Sequence, residues 1–303
     1  MIVLLCPGQG SQKPGFLNSW LEIDSFKSNI ESLAETISLD LIKHGTVSDE
    51  ETIRDTAIAQ PLIVAASIAT ANLLNISSVS GVAGHSVGEV AATYISGVLS
   101  ESESITLVNL RAQVMAEAAK ATTGTGMAAV LGGEEEVVIA KLTELGLSPA
   151  NYNGAGQIVA AGLSSKIQEL VTNPPQGSKV IPLSVAGAFH TSFMEPAVSK
   201  LSDFVSTLTP KDPQMNLWSN QNGQLVSSGS EFLNLLVGQV ANSVRWDLCM
   251  KAMVATGVTG VIELSPAGTL SGLAKRGMPG IEIVALKSPD DLEAAKALIA
   301  SEG

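Results

Sequence analysis

The sequence predicts an α/β fold with a mostly parallel sheet and a small second sheet inserted into the chain. Residues 2–6 form a continuous apolar run, typical of a parallel strand that is buried on both faces. Short strands then alternate with helical patterns, as parallel sheets require. Over residues 124–188 the order becomes strand, helix, strand, strand, helix, strand, which is a split βαβ pattern. This segment is predicted to be an inserted subdomain, and residues 1–123 and 189–303 are predicted to form the main one.

Composition excludes several classes of function. The 303 residues are 45% hydrophobic but only 4% aromatic, so Ala, Val, Leu and Ile must build the core. The 29 acidic and 17 basic residues leave a net charge of −12, which opposes binding to nucleic acids and anionic membranes. Cys6 and Cys249 are too few for a disulfide framework or a zinc site.

No segment has the roughly 20 consecutive apolar residues that a membrane span needs. Residues 1–6 also lack the basic region of a signal peptide. We therefore expect a soluble, cytoplasmic protein.

Local signals predict the elements in chain order. Pro61 suits the first turn of a helix, and Ser100 with Glu103 has capping-box spacing. Asn222-Gly223 predicts a hairpin turn, and the polar, acidic stretch 45–56 predicts a loop. The predicted strands are 2–6, 79–83, 127–131, 150–153, 157–161, 179–185, 214–219, 258–264 and 281–286, and the predicted helices are 24–44, 61–74, 87–96, 101–121, 134–145, 164–172, 193–208, 230–241, 245–256, 269–276 and 290–301.

The segment Gly84-His85-Ser86-Val87-Gly88 has the G-x-S-x-G layout of a nucleophile elbow. In such an elbow a strand turns sharply into a helix and projects the serine hydroxyl. Glycine is needed on both sides because a side chain there would collide with the neighbouring strand or helix. The five residues alone are about equally compatible with an ordinary strand-to-helix turn.

A serine nucleophile needs a base, and the chain contains three histidines. His44 borders a polar, acidic stretch and is expected at the surface. His85 directly precedes Ser86, and neighbours at a sharp turn point in different directions, so a packing role is expected for it. His190 lies in the loop between the last strand of the insert and the next helix. By elimination, His190 is the predicted base.

Arg111 is predicted on the buried face of its helix. A buried guanidinium keeps its charge and needs an anion. The anion could belong to an internal Asp or Glu, since buried charges are usually paired, or to a carboxylate of the substrate. The surrounding apolar stripe, three or four residues away on either side, consists of Leu107, Val108, Val114 and Met115.

An acyl-transfer site also needs donors for a developing oxyanion. The backbone N–H of Val87, directly after the serine, is one natural donor, and the turn Gly8-Gln9-Gly10 after the first strand is a candidate for the second. A carbonyl oxygen or an acid could orient the histidine. No acid stands out among Asp203, Asp212, Asp247 and Glu263.

Four motifs occur in order along the chain: Pro7-Gly8-Gln9-Gly10-Ser11-Gln12, Gly84-His85-Ser86-Val87-Gly88-Glu89, Arg111 and Gly187-Ala188-Phe189-His190. Together they resemble the malonyl-CoA:acyl carrier protein transacylase family and the acyltransferase domains of fatty acid and polyketide synthases. The resemblance continues through 239–246 and 263–268, so it covers essentially the whole chain.

The resemblance implies an α/β-hydrolase-like core with a ferredoxin-like insert. It makes Ser86 the nucleophile and His190 the base, and it places Arg111 on the malonyl carboxylate. The backbone N–H groups of Gln9 and Val87 would form the oxyanion hole.

Two further roles follow from the resemblance alone. Gln239 would supply the main-chain carbonyl that orients His190. Phe189 would favour malonyl over α-branched acyl groups, because a flat ring leaves little room beside the α-carbon.

The implied activity is ping-pong transfer of malonyl from CoA to the phosphopantetheine thiol of acyl carrier protein, for fatty acid synthesis. The prosthetic arm belongs to the carrier protein, so we expect an enzyme without a metal or cofactor of its own. A monomer is the expectation from the family. A polyketide-pathway acyltransferase, and a serine thioesterase or esterase that shares the elbow, are the alternatives.

Carrier proteins of this kind are acidic, as this chain is, so their docking requires a local basic patch. Lys275 and Arg276, the only adjacent basic pair, are the candidates. The same pair would equally complement the dipole at a helix C-terminus.

Overall fold

The computed structural model describes residues 1–301, and within that range nine strands form two sheets. Residues 302 and 303, the end of the predicted main subdomain, lie outside the described range. The strands are β1 (Ile2–Cys6), β2 (Gly81–Gly84), β3 (Thr125–Gly132), β4 (Ser148–Gly154), β5 (Gln157–Leu163), β6 (Ser178–Leu183), β7 (Asn216–Trp218), β8 (Gly260–Glu263) and β9 (Glu282–Ala285).

Helices separate most of these strands in sequence. Within residues 1–301, none of them is both long enough and apolar enough to cross a membrane. The helices are α1 (Asp24–Ile37), α2 (Leu41–Thr46), α3 (Glu50–Arg54), α4 (Thr56–Ala71), α5 (Gly88–Ile95), α6 (Glu101–Ala121), α7 (Glu135–Leu145), α8 (Ser164–Thr172), α9 (Glu195–Val205), α10 (Gly229–Gln239), α11 (Trp246–Ala255), α12 (Thr269–Gly277) and α13 (Leu292–Ala300).

The larger sheet is parallel throughout, with the strand order β7-β2-β1-β8-β9. Its central strand, β1, is buried along its whole length. Alternate residues of β1 face opposite sides, so Leu4 packs into one apolar cluster and Val3 and Leu5 into another. Both faces of the sheet are covered, which explains the continuous apolar run. The predicted mostly parallel sheet is confirmed.

The smaller sheet is antiparallel, with the strand order β4-β5-β3-β6. One face of it packs against α7 and α8, where Val130 and Ile158 join Leu142 and Leu170 in a separate apolar cluster. Other residues of β3 and β5 point away from this cluster, and Val159 joins the main core. The smaller sheet therefore contacts helices on one side and the rest of the molecule on the other.

One helix begins earlier in the chain than the sequence predicts and another occurs where a loop was predicted, because an aspartate caps each of them. The side chain of Asp55 accepts a hydrogen bond from the N–H of Ala57, so α4 begins at Thr56 and Pro61 lies inside the helix. Asp49 caps α3 in the same way, within a stretch predicted to be a loop. The side chain of an aspartate accepts hydrogen bonds from the unpaired N–H groups of a first turn. This capping decides where the helix begins, although Pro61 would also be compatible with a first turn.

Two other elements also differ from prediction. The helix predicted over 24–44 is divided into α1 and α2, because Ser38 adopts a left-handed conformation (φ 54°) that ends α1. Asp40 then caps α2. The predicted hairpin at Asn222-Gly223 is a turn closed by a single bridge between Trp218 and Leu225, with no second strand.

The turn from β2 into α5 brings backbone segments into very close contact. A Cβ atom on Gly84 would lie 2.0 Å from the carbonyl carbon of Gly88. A Cβ atom on Gly88 would lie 2.1 Å from the carbonyl oxygen of Cys6 in β1. Because backbone atoms of packed elements cannot easily move aside, the predicted need for glycine on both sides of the serine is confirmed.

Replacing Gly88 should therefore destabilise the fold. Gly88→Ala is expected to lower the free energy of unfolding by at least about 2 kcal/mol, since the added methyl collides with β1. The matched control is Gly238→Ala in α10, where nothing lies within 4 Å of the Cβ position. That variant should gain about 0.5–1 kcal/mol from the helix propensity of alanine. Equal effects of the two variants in denaturant unfolding would contradict the close approach at the elbow.

Candidate active site

A cleft of about 350 Å³ lies at the carboxyl end of the larger sheet. Residues that follow β1, β2 and β8 line one side of it, and residues of β3 and β5 line the other. Open α/β sheets bind ligands at the carboxyl ends of their strands. Six predicted site residues line this cleft: Gln9, Ser86, Val87, Arg111, Phe189 and His190.

Ser86 stands at the tip of the elbow, in a left-handed conformation with φ 53°. Its Oγ lies 2.7 Å from Nε2 of His190, and Nδ1 of His190 lies 2.8 Å from the main-chain oxygen of Gln239. A carbonyl oxygen can only accept a hydrogen bond, so Nδ1 carries the ring proton and Nε2 accepts from the hydroxyl of Ser86. Ser86, the imidazole of His190 and the carbonyl of Gln239 thus form a continuous series of hydrogen bonds.

The imidazole of His190 is held neutral. It is only 5% exposed. Burial and, second, the charge of Arg111 lower the pKa of His190 to about 3, although the carbonyl of Gln239 acts in the opposite direction. The neutral form is the one that can accept a proton.

Gln9 and Val87, the predicted oxyanion-hole residues, both line the cleft. Neither backbone N–H donates to another group within the described residues. Val87 immediately precedes α5, where the first N–H groups of a helix have no partner inside the helix. The side chain of Gln9 lies 3.3 Å from the hydroxyl of Thr56, which anchors the turn after β1.

Arg111 projects from α6 into the same cleft and is only 1% exposed. Its Nη1 donates to Oε1 of Gln60 at 2.5 Å and its Nη2 to Oε1 of Gln239 at 2.9 Å, while Nε has no partner. Burial lowers the pKa of Arg111 to about 10, against the effect of the charge on Glu89, so it is cationic at neutral pH.

The acid that the sequence analysis considered for Arg111 is not in direct contact with it. No carboxylate among residues 1–301 forms an ion pair with its guanidinium. The charge of Glu89 acts to raise the pKa of Arg111, and the side chain of Gln239 bridges the two residues. Direct partners of the guanidinium are two neutral amides.

Glu89 and Asn220 connect this arginine to the elbow. Oε2 of Glu89 accepts from Nε2 of Gln239 and Oε1 accepts from the backbone N–H of Asn220, both at 2.6 Å. Oδ1 of Asn220 accepts from the N–H of Ser86 at 2.8 Å, and its Nδ2 donates to the oxygen of Gly84 at 2.7 Å. A continuous polar network therefore runs beneath the cleft.

Glu89 itself is 1% exposed. Burial raises the pKa of Glu89 to about 8, while the hydrogen bond from Asn220, the charge of Arg111 and the hydrogen bond from Gln239 act to lower it. Both oxygens accept from N–H groups. Burial favours the neutral acid, but both partners of Glu89 are N–H donors and the charge of Arg111 also acts on it, so the hydrogen bonds favour the ionised carboxylate.

The other two histidines do not hydrogen-bond to the hydroxyl of Ser86. Nε2 of His85 lies 2.9 Å from Oδ1 of Asn153 on β4, and its ring meets Trp246 edge-on, so the predicted packing role is confirmed. His44 is half-buried, with Nδ1 3.0 Å from the hydroxyl of Ser48, and it does not line the cleft.

Of the four acids considered as partners of His190, three are engaged elsewhere and Asp203 is exposed on α9. Asp247 pairs with Arg245, and Glu263 accepts three N–H groups around the start of α12. Asp212 accepts from the N–H of Gly229. Within the described residues, the carbonyl of Gln239 takes the position that an acid would occupy in a triad.

Residues 3–290 match the family model of the acyl transferase domain. The chain belongs to the acyl transferase domain family. A protein of Mycobacterium bovis named malonyl CoA-acyl carrier protein transacylase is 45% identical over 298 residues, which cover 97% of this chain and 98% of the relative.

Solved structures of similar proteins agree with this assignment. The crystal structure of MCAT from Mycobacterium tuberculosis has a TM-score of 0.93 and 43% identity, over 98% of this chain and 99% of that one. A malonyl-transacylase solved in complex with a type II PKS acyl-carrier protein has a TM-score of 0.91 and 27% identity, over 98% and 99% of the two chains. The mixed α/β fold is shared over nearly the whole length.

Sequence reasoning missed three polar residues of this acyl transferase domain. Gln60 and Glu89 are isolated polar residues in apolar helical stretches, a pattern that signals a buried polar group with a partner. Asn220 follows β7 by two residues, at the sheet edge that carries the site. Gln239 was identified for its carbonyl, but its side chain has partners of its own.

Lys275 and Arg276 are exposed in the last turn of α12, whose first residues line the cleft. Nη2 of Arg276 lies 3.4 Å from the side-chain oxygen of Gln157, another cleft residue. The pair therefore lies near the rim of the cleft. Its role in carrier docking stays a prediction.

The low pKa of His190 in this acyl transferase domain has a consequence for stability. An unfolded histidine binds a proton near pH 6.5, whereas folded His190 does so only near pH 3. The unfolded chain therefore binds more protons between these values, and the free energy of unfolding should fall as the pH drops from 6.5 towards 3. His190→Asn should show a shallower fall when denaturant unfolding is followed between pH 6.5 and 4.5. Identical slopes for the two proteins would contradict a buried, neutral His190.

Proposed function

We propose that this acyl transferase domain is a malonyl-CoA:acyl carrier protein transacylase that supplies malonyl groups for fatty acid synthesis. The observation that carries the proposal is a buried cation, Arg111, lining the same cleft as the hydrogen-bonded pair Ser86 and His190. A carboxylate at the far end of the acyl group is the natural partner of such a cation. Relatives with this name, matched over nearly their whole length, support the substrate and the carrier protein as partner.

We also infer the finer architecture. The main subdomain, 1–123 and 189–303, is an α/β-hydrolase-like core, and 124–188 is a ferredoxin-like insert. The parallel order of the larger sheet and the elbow after β2 support the first part. The antiparallel βαββαβ arrangement of β3 to β6 with α7 and α8 supports the second.

Acyl transfer begins on Ser86. Its hydroxyl proton passes to Nε2 of His190 while Oγ attacks the thioester carbonyl of malonyl-CoA. The N–H groups of Gln9 and Val87 stabilise the negative oxygen that develops. The C–S bond then breaks, and the CoA sulfur leaves with the proton from His190. Malonate is left esterified to Ser86.

The second half-reaction reverses these roles. The phosphopantetheine thiol of the carrier protein gives its proton to His190, and its sulfur attacks the ester carbonyl. The C–O bond breaks, and the proton returns to Oγ of Ser86. The carbonyl of Gln239 keeps the ring of His190 oriented in both steps. Arg111 holds the malonyl carboxylate, and Phe189, a buried residue lining the cleft, restricts the space beside the α-carbon.

The reaction is a transfer between two thiols through an alcohol, with no redox step. CoA carries the acyl group in and the arm of the carrier protein carries it out, so the enzyme requires no metal or cofactor of its own. We propose that it acts as a cytoplasmic monomer.

Incubation with malonyl-CoA followed by intact mass spectrometry tests the proposed function. The wild-type protein should gain one malonyl group, and Ser86→Ala should gain none, because Oγ is the atom that forms the ester. Peptide mapping should place the group on Ser86. A folded wild-type protein without an adduct, or an adduct that persists in Ser86→Ala, would refute the mechanism.

Arg111→Ala separates the transacylase from a serine thioesterase with the same elbow. The kcat/KM for malonyl loading should fall about 100-fold, the effect of removing a buried, charged hydrogen-bond partner worth about 3 kcal/mol. Loading of acetyl, which has no carboxylate, should be retained or rise. Arg245→Ala is a matched control, because Arg245 pairs with Asp247 and does not line the cleft. Unchanged malonyl loading in Arg111→Ala would favour the thioesterase.

A further inference from the structure

Glu89 is a buried acid that takes no part in the mechanism above. It lies in the first turn of α5, three residues after Ser86, and is 1% exposed. It does not contact His190, so it is not the third member of a triad. A buried carboxylate is retained only where its hydrogen bonds are satisfied. Its partners therefore indicate what it does.

The two oxygens of Glu89 serve two branches of the polar network. Oε1 accepts from the N–H of Asn220, whose own Oδ1 accepts from the N–H of Ser86. Oε2 accepts from Nε2 of Gln239, whose Oε1 accepts from Arg111. The first branch supports the elbow, and the second reaches the guanidinium.

Three acceptors fix the direction of the hydrogen bonds in the second branch, and Glu89 is the closest of them. Nε2 of Gln239 lies 2.6 Å from Oε2 of Glu89, 3.1 Å from the main-chain oxygen of Ser86 and 3.2 Å from Oδ1 of Asn220. An ionised carboxylate can only accept, so it holds the amide with its nitrogen towards Glu89 and its oxygen towards Arg111. The reversed amide would turn its N–H groups towards those of the guanidinium. Two donors facing each other in a buried site leave both unsatisfied.

The acceptor on Gln239 matters because it helps to hold the guanidinium. A guanidinium has five N–H donors. Arg111 donates one hydrogen bond to Gln60 and one to Gln239. The remaining donors, including the unpartnered Nε, are left for a ligand. The two amide oxygens thus set the plane of the group without neutralising its charge.

We propose that Glu89 is a positioning residue for the malonyl carboxylate: it fixes the amide orientation of Gln239, and through that amide it holds the guanidinium of Arg111 ready for the substrate. This inference rests on the proposed function, since it concerns how the same site selects malonyl. Gln239 then has two separate duties, with its main-chain oxygen on His190 and its side chain on Arg111.

Glu89→Gln tests the proposal, because glutamine keeps the shape of the side chain and an acceptor for Asn220. Its amide nitrogen would face Nε2 of Gln239, so the shortest of the three hydrogen bonds that orient that amide would be replaced by two opposed donors. Ser86 acylation should be followed under single-turnover conditions with malonyl-CoA and with acetyl-CoA. The kcat/KM for malonyl should fall about 10- to 100-fold, the range for a hydrogen bond to a charged group. Acetyl loading should change by less than about threefold, because it does not use Arg111.

A matched control is Glu263→Gln. Glu263 is also a fully buried carboxylate at a strand end, and it accepts three N–H groups around the start of α12. This variant should lower the Tm without changing the ratio of malonyl to acetyl loading. An equal change of that ratio in both variants would mean that Glu89 is merely structural.

Gln239→Met provides an independent variant if Glu89→Gln unfolds. Methionine keeps the main-chain oxygen that orients His190 but removes the amide between Glu89 and Arg111. The lost amide also donates to the main-chain oxygen of Ser86, so acetyl loading is expected to fall as well, but malonyl loading should fall further than acetyl loading.

The possible outcomes separate this inference from the proposed function. A malonyl adduct on wild-type Ser86, together with a selective loss in either variant, supports both. An adduct on the wild-type protein with equal losses for malonyl and acetyl, or with no loss, overturns the inference alone. A wild-type protein without an adduct overturns the proposed function and the inference with it.

Discussion

A guanidinium inside an aliphatic core is the constraint on which most of the site depends. Arg111 is 1% exposed, and it keeps its charge at neutral pH. A direct ion pair would satisfy that charge and leave little for a ligand. Instead, the amide oxygens of Gln60 and Gln239 accept hydrogen bonds from the guanidinium. Glu89 is connected to it only through the side chain of Gln239. The positive charge therefore stays available on the cleft side.

The same charge shapes the chemistry at His190. Together with burial, it disfavours the imidazolium and keeps the ring neutral, while the carbonyl of Gln239 selects the tautomer with a free Nε2. A carboxylate in that position would instead favour the protonated ring. A carbonyl orients the base without raising its pKa as strongly, which suits a base that must be unprotonated before each half-reaction.

Local patterns were sufficient where neighbouring residues in sequence decide the outcome. The capping box of Ser100 and Glu103 begins α6 as predicted, and both glycines of the elbow are required by contacts within the turn and with β1. Sequence patterns predicted the wrong start of a helix where two local signals compete. Pro61 is compatible with a first turn, but Asp55, six residues before the predicted start, is the better cap, and the helix begins at Thr56.

The sequence by itself determined the chemistry that is available: one serine in an elbow, one well-placed histidine and one arginine on an apolar face. It could do so because these features depend on residue type and short spacing. Only the tertiary structure decided how they are joined, since Gln60, Glu89, Asn220 and Gln239 are far apart in sequence and meet beneath the cleft. Hydrogen-bond direction between such residues depends on angles and distances of a few tenths of an ångström, which no spacing along the chain encodes.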